Sequence, residues 1–109
     1  MKINVTKDLI GRGVFETCRT NDQSSYWNPI SIALRQVLLR EVILTPEEIR
    51  IFFYIETGKT SVSVKAIQAV QEFTLCFNTK LWEMLFPFSF NLDIEEVEKQ
   101  AREKIHYKT

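Results

Sequence analysis

The sequence predicts an α+β domain in which a small antiparallel or mixed sheet carries about three main helices. Apolar residues recur with helical spacing after Asn28-Pro29 and after Asp93, whereas they alternate with other residues from Ile49 to Ile55. The predicted elements follow the order β-α-α-β-β-(β)-α-β-α. Because several strands are joined by turns rather than by helices, this order favours helices on one face of the sheet over a doubly wound fold.

The length and composition predict a single domain. The chain has 109 residues, of which 45% are hydrophobic and 12% are aromatic. This is enough to build one hydrophobic core, with little left for a second. Only three Gly and three Pro are present, and no low-complexity tract suggests a linker. We therefore expect residues 1–109 to form one domain.

The N-terminal third is predicted to hold a strand, a short helix and a loop. Lys2–Val5 is predicted to be a strand, and Thr6 is suited to cap a helix from Lys7 to Arg12. Gly11 or Gly13 is expected to end this helix, since Gly adopts the left-handed stop conformation at low cost. The polar run Arg19–Ser25 is typical of an exposed loop.

The middle of the chain is predicted to hold a helix followed by strands. Asn28 and Pro29 indicate a helix start, and the helix is expected to end near Leu39 or Arg40. Residues 41–44 resemble a strand and residues 45–48 a turn. An alternative places the first turn of a helix at residues 46–48, but the β-branched and aromatic residues that follow favour a strand.

The next segment leaves two alternatives open. Residues 57–59 are predicted to form a turn, after which Thr60–Val62 either extend the sheet or lead into a helix. In either case Ser63 is expected to cap the next helix, which runs to about Phe77.

The chain is expected to end in a strand and an amphipathic helix. Phe88, Phe90 and Leu92 alternate with polar residues, so they are predicted to face the core. Asp93 and Glu96 have the spacing of a capping box. The helix within residues 94–109 is expected to pack on the domain or to pair with its copy in a homodimer.

Charge and hydropathy exclude some classes of partner. The 14 basic residues are balanced by 14 acidic ones, whereas nucleic-acid binding draws on a basic excess. The opening residues lack the apolar core of a signal peptide, and the longest apolar run is too short to cross a bilayer. We therefore expect a cytoplasmic protein, with reduced cysteines and neither nucleic acid nor membrane as a partner.

No motif indicates catalysis, a cofactor or a metal. Cys18, Cys76 and His106 cannot form a closed zinc site without carboxylates. A catalytic pair of Cys18 and His106 would require the C-terminus to fold back across the domain. Residues 58–60 match only the tail of a phosphate-binding loop. The prediction is a protein that is not an enzyme and carries no cofactor.

A polar loop that ends in two aromatic residues is the candidate interaction surface. Trp, Tyr and Arg are favoured anchors of protein interfaces, although the two aromatics would also suit a lid over the core. An anion site could be lined by Arg19, Arg35, Arg40 and Arg50. The candidate residues are Arg19, Asp22, Tyr26, Trp27, Arg35 and Arg50.

Three segments resemble a family of short, uncharacterised proteins from bacteria and their phages. They are Val5–Gly13, Asn28–Leu34 and Phe86–Asp93, and the family pattern is V-T-x-x-x-I-x-x-G, then C-P-[IV]-A-x-A-L, then P-F-x-F-x-L-D. This chain has Asn28 where the pattern has Cys, and its C-terminal helix resembles an extension. The resemblance implies the predicted order of elements and an origin in a phage or mobile element, without implying an activity.

Two functions follow as hypotheses. The first is a non-enzymatic protein-interaction module, which as a phage protein would inhibit a host enzyme such as a defence nuclease. The second is a small-ligand or nucleotide-binding domain that uses Arg35, Arg50 and an aromatic pocket.

Overall fold

The computed structural model confirms the α+β class. It describes residues 1–22 and 24–107, with the backbone alone for His106 and Tyr107. Within these residues the chain forms four α-helices and five strands. The strands build two antiparallel sheets, one of two strands and one of three, rather than a single sheet.

The smaller sheet joins the beginning of the chain to its last strand. Strand β1 (Lys2–Val5) pairs antiparallel with β5 (Phe88–Asn91), and Ile3 lies opposite Phe90. Ile3, Val5 and Phe90 are buried, whereas Phe88 is partly buried. The predicted strand at Lys2–Val5 and the core-facing positions predicted for Phe88 and Phe90 are confirmed.

The larger sheet has the strand order β2-β3-β4. Strand β2 covers Val42–Leu44, β3 covers Glu48–Ile55, and β4 covers Gly58–Lys65. The predicted strand at 49–55 is therefore confirmed, and the first alternative for residues 60–62 is correct. Cross-strand pairing keeps the chain extended, because Val62 lies opposite Ile51 in the core.

Two predicted helix boundaries were wrong. Ser63 lies within β4 and caps no helix, and helix α3 begins later, at Gln68, and runs to Asn78. Helix α1 (Lys7–Thr20) continues past both glycines and ends at Asn21, which has the left-handed conformation with φ 54°. The predicted loop therefore begins only after Thr20, and Gln23 within it lies outside the described residues.

Gly13 is required for close packing rather than for a helix end. A Cβ built on Gly13 would lie 2.4 Å from the carbonyl oxygen of Trp27 and 2.9 Å from Cγ of Pro29. Helix α1 thus lies directly against the start of helix α2, which covers Pro29–Leu38. Gly11, in the same helix, has no atom within 4 Å of its Cβ position.

The predicted helix starts at Asn28, Thr6 and Asp93 are confirmed by their caps. Asn28 Oδ1 accepts a hydrogen bond from the Ile30 amide at 2.9 Å, and Thr6 Oγ1 accepts one from Leu9. Asp93 Oδ1 accepts one from Glu96 at 3.1 Å. These oxygens satisfy amides that have no partner inside their helices.

Helix α4 (Ile94–Tyr107) packs against β4. Val97 and Ala101 of its apolar seam are buried within the chain, and Lys104 Nζ donates a hydrogen bond to the carbonyl oxygen of Ser61. The predicted packing role thus has a structural basis. Dimerisation through this helix remains a prediction, and Lys108 and Thr109 at its end lie outside the described residues.

The two helical glycines predict opposite effects of the same substitution. Gly13→Ala should destabilise the fold by about 1–3 kcal/mol, because a backbone carbonyl and a proline ring must move to admit the methyl group. Gly11→Ala should stabilise it by about 0.5–1 kcal/mol, because Ala favours a helix more than Gly does and no atom opposes it. Urea unfolding of both variants checks this, and equal effects would contradict the packing described here.

Candidate functional site

A cleft of about 600 Å³ lies between β2 and a 3₁₀ helix at Ser25–Trp27. One wall is strand β2 at the edge of the larger sheet, and the other is the 3₁₀ helix with the residue before it. Helix α2 contributes one charged side chain. The lining residues are Ser24, Ser25, Tyr26, Arg35, Glu41, Val42, Ile43 and Leu44.

Short polar contacts hold the 3₁₀ helix beside the sheet. Asp22 Oδ1 accepts a hydrogen bond from the Ser24 amide at 2.8 Å, which holds the pKa of Asp22 below its ordinary value. Ser24 Oγ accepts one from the Tyr26 amide at 3.2 Å. Ser25 Oγ accepts one from the Leu44 amide, also at 3.2 Å. Because Leu44 belongs to β2, this last bond fixes the width of the cleft.

Arg35 lies under the ring of Tyr26. The guanidinium carbon is 3.9 Å from the centre of the Tyr26 ring, which is a cation–π geometry. Atom Nη1 of Arg35 is buried and has no hydrogen-bond partner among the described residues. Burial lowers the pKa of Arg35, and the positive charge of Arg12 on α1 acts in the same direction.

The cleft continues onto the outer face of the larger sheet. Ile43 lines the cleft and lies opposite Arg50 on β3. Glu41, which also lines the cleft, accepts a hydrogen bond from the Tyr54 hydroxyl at 2.5 Å. Its carboxylate is 3.6 Å from Lys59 Nζ. The cleft and this face therefore form one continuous surface.

The structure brings together three of the predicted surface residues directly. Tyr26 and Arg35 are in contact in the cleft, and Trp27 packs edge-on against Tyr26 with ring centres 4.7 Å apart. Asp22 shapes the turn that leads to them. Trp27 is partly buried, whereas Tyr26 is 51% exposed.

The other predicted arginines are not among the residues that line the cleft. Arg19 forms an ion pair with Glu16 on α1 at 2.6 Å, and Arg50 forms one with Glu48 on β3 at 2.7 Å. Arg40 lies over the ring of Phe53, with 4.2 Å between the guanidinium carbon and the ring centre. Of the four arginines predicted to line an anion site, only Arg35 lines this cleft.

Sequence reasoning missed Glu41, Ile43 and Tyr54 as surface residues. Strand alternation could have placed Ile43 outside, because it shares a strand face with the polar residues Glu41 and Thr45. Tyr54 is 67% exposed and alternates with the buried Phe53. No local signal pairs Glu41 with Tyr54, because their contact depends on the register of two strands.

The groups considered for catalysis and metal binding lie apart or outside the described side chains. Cys18 is exposed on α1 and Cys76 is partly buried on α3, while the side chain of His106 is not described. Within residues 1–22 and 24–107, no three His, Cys, Asp or Glu side chains cluster as metal ligands would. None of the helices in that part of the chain has the length and apolar character needed to cross a bilayer.

No family model, curated protein or solved structure matches this chain. The resemblance to short bacterial and phage proteins therefore remains a prediction.

The Tyr54–Glu41 pair predicts a specific change in titration. The hydrogen bond to Glu41 raises the pKa of Tyr54, and the same bond lowers the pKa of Glu41. Glu41→Gln should therefore move the pKa of Tyr54 back toward its ordinary value, because the neutral amide has no negative charge to disfavour ionisation of the phenol. Ring-carbon NMR at alkaline pH measures this. Glu48→Gln, which removes the partner of Arg50 instead, is the control.

The pair also sets a pH window for stability. A lowered carboxylate pKa contributes stability above the ordinary pKa of Glu, and this is lost as pH falls through the folded-state value. A raised phenol pKa contributes stability below the ordinary pKa of Tyr, and this is lost as pH rises through the folded-state value.

For the titration prediction, an unchanged pKa of Tyr54 in Glu41→Gln would contradict the hydrogen bond between Tyr54 and Glu41.

Proposed function

We propose that this protein is a non-enzymatic protein-interaction module that binds its partner over the cleft and the outer face of the larger sheet. We call this region the docking surface and define it by Tyr26, Arg35, Glu41, Ile43 and Tyr54. The proposal agrees with the interaction function expected from the loop and its aromatic residues.

The observation that carries the proposal is the continuity of exposed anchor residues. Tyr26, Ile43 and Tyr54 are 51%, 43% and 67% exposed. The cleft lining and the Glu41–Tyr54 hydrogen bond join them into one surface. Tyr and Arg are the residue types that dominate binding energy at interfaces, and an apolar centre with a polar rim is the usual arrangement.

The resemblance to phage proteins supports a more specific version of the proposal. As a phage or mobile-element product, the module would bind and inhibit a host enzyme, of which a defence nuclease is one example. A small protein can do this by covering a substrate site, so it needs a binding surface and no catalytic residues of its own.

Affinity capture with matched variants tests the proposed surface. Tyr54→Ala should reduce recovery of a bacterial host protein by about tenfold or more, since loss of an interface anchor costs about 2 kcal/mol or more. Phe86→Ala is the control, because Phe86 is 71% exposed and lies in the segment before β5. Quantitative mass spectrometry of the captured proteins, followed by a binding curve for the purified partner, provides the measurement.

Two results would contradict the docking surface. One is that no host protein is retained by the wild-type chain beyond background. The other is that Phe86→Ala and Tyr54→Ala reduce recovery equally, which would mean that binding follows exposed aromatic area rather than this surface.

The size of the cleft favours a second candidate function, a small-ligand or nucleotide-binding domain. Its volume of about 600 Å³ lies within the range of small-molecule sites, and Arg35 would face an anionic group. Arg35 and Arg50 were both expected to bind the ligand. Arg50, however, forms an ion pair with Glu48 on the outer face of the sheet.

Thermal unfolding separates the two functions. A nucleotide at a hundred times its Kd would stabilise the fold by about 2.7 kcal/mol, which raises the melting temperature by several degrees for a domain of this size. We expect no such rise with adenine or guanine nucleotides. A rise that Arg35→Gln abolishes would replace the interaction function with nucleotide binding.

A further inference from the structure

We infer that the cleft takes an acidic segment of the partner protein, in which the carboxylate of an Asp or Glu pairs with Arg35. An apolar neighbour of that residue packs against Tyr26 and Ile43. The inference rests on the proposed function and adds the chemistry of the segment that docks.

The first reason is the state of the Arg35 guanidinium. Nη1 is buried without a partner among the described residues, and no carboxylate in the described part of the chain forms an ion pair with Arg35. Buried charged donors are normally paired, because burial without an acceptor is unfavourable. Arg35 also lines the cleft, so a carboxylate that arrives with a partner meets the guanidinium there, whose planar shape suits its two oxygens.

The second reason is the surplus of donors around Arg35. Ser24 Oγ and Ser25 Oγ each accept a hydrogen bond from a backbone amide, so their hydroxyl protons remain able to donate. The positive charge of Arg12 acts on Arg35 from α1. The cleft therefore presents donors and positive charge to an incoming group.

The carboxylate that lines the cleft has partners other than Arg35. Glu41 is held from the sheet side by the Tyr54 hydroxyl and by Lys59. It thus has two partners of its own and forms no ion pair with Arg35. An incoming carboxylate would meet Arg35 rather than compete with Glu41 for it.

The third reason is the apolar character of the remaining walls, which favours a peptide over a free anion. Half of the eight lining residues, Tyr26, Val42, Ile43 and Leu44, are aromatic or aliphatic. Inorganic phosphate would use only the guanidinium and the hydroxyls. An apolar segment that carries a carboxylate would contact both the polar and the apolar residues of the cleft. It would also extend onto the outer face of the sheet through Ile43, which belongs to both the cleft and that face.

Selection from an mRNA-displayed library of random peptides tests the inference. Peptides enriched on the wild-type protein should share one Asp or Glu next to an apolar residue. Replacing that Asp by Asn, or Glu by Gln, should weaken binding to the wild type by about tenfold or more, as expected for a charge-assisted hydrogen bond. Backbone-amide NMR with the selected peptide should show shifts at Ser25, Tyr26 and Ile43.

Protein variants locate the effect. Arg35→Gln should bind the acidic and amide peptides equally weakly, and Arg35→Lys, which keeps the charge but loses the planar fork, should fall between. Arg102→Gln is the control, since Arg102 is exposed on α4 and should leave the preference unchanged. Because the comparison of the two peptides on the wild-type protein needs no variant, the test stands even if Arg35→Gln fails to fold.

The outcomes separate the inference from the proposed function. Selected peptides that bind the cleft with no acidic position, or equally well after the Asp-to-Asn change, would overturn the inference and leave the docking surface in place. A selection that yields no peptide for this surface would overturn both. Saturable shifts from inorganic phosphate, without peptide binding, would instead show a small-anion site and overturn the peptide assignment.

Discussion

The close packing of α1 against the Trp27–Pro29 junction is the constraint on which the docking surface depends. At Gly13 the helix approaches the junction so closely that no side chain fits between them. Asn28, fully buried at the same place, caps α2 through Oδ1 and donates from Nδ2 to Thr74 Oγ1 of α3 at 3.4 Å. A buried amide must find partners, so this residue ties α2 to α3 and fixes where the 3₁₀ helix ends.

The position of the cleft follows from that junction. With its end fixed, the 3₁₀ helix can place Ser25 within reach of Leu44 on β2 and Tyr26 over Arg35. The cation–π contact and the apolar wall then keep the guanidinium partly out of water, which is why the pKa of Arg35 is lowered by burial. The position of the Arg35 charge in the cleft is therefore a consequence of the packing of α1 against the Trp27–Pro29 junction.

Local patterns predicted much of the fold and part of the site, because caps and alternation act within a few residues. The cap at Asn28 and the alternation at Ile49–Ile55 were correct for this reason. The end of α1 was wrong, because Gly13 was interpreted as a stop signal while its role lies in a contact with Trp27. Tyr26 and Arg35 were predicted one by one, but Glu41 and Tyr54 meet only through strand pairing, which local sequence does not encode.

Hydrogen exchange at the Leu44 amide tests the central claim most directly, because that amide donates across the cleft to Ser25 Oγ. The Phe52 amide, bonded to the Glu41 carbonyl inside the sheet at 3.0 Å, is the internal reference. If the junction at Gly13 holds the cleft, Gly13→Ala should speed exchange at Leu44 by about tenfold or more while Phe52 stays protected. Unchanged protection at Leu44, or equal loss at Leu44 and Phe52, would contradict the account.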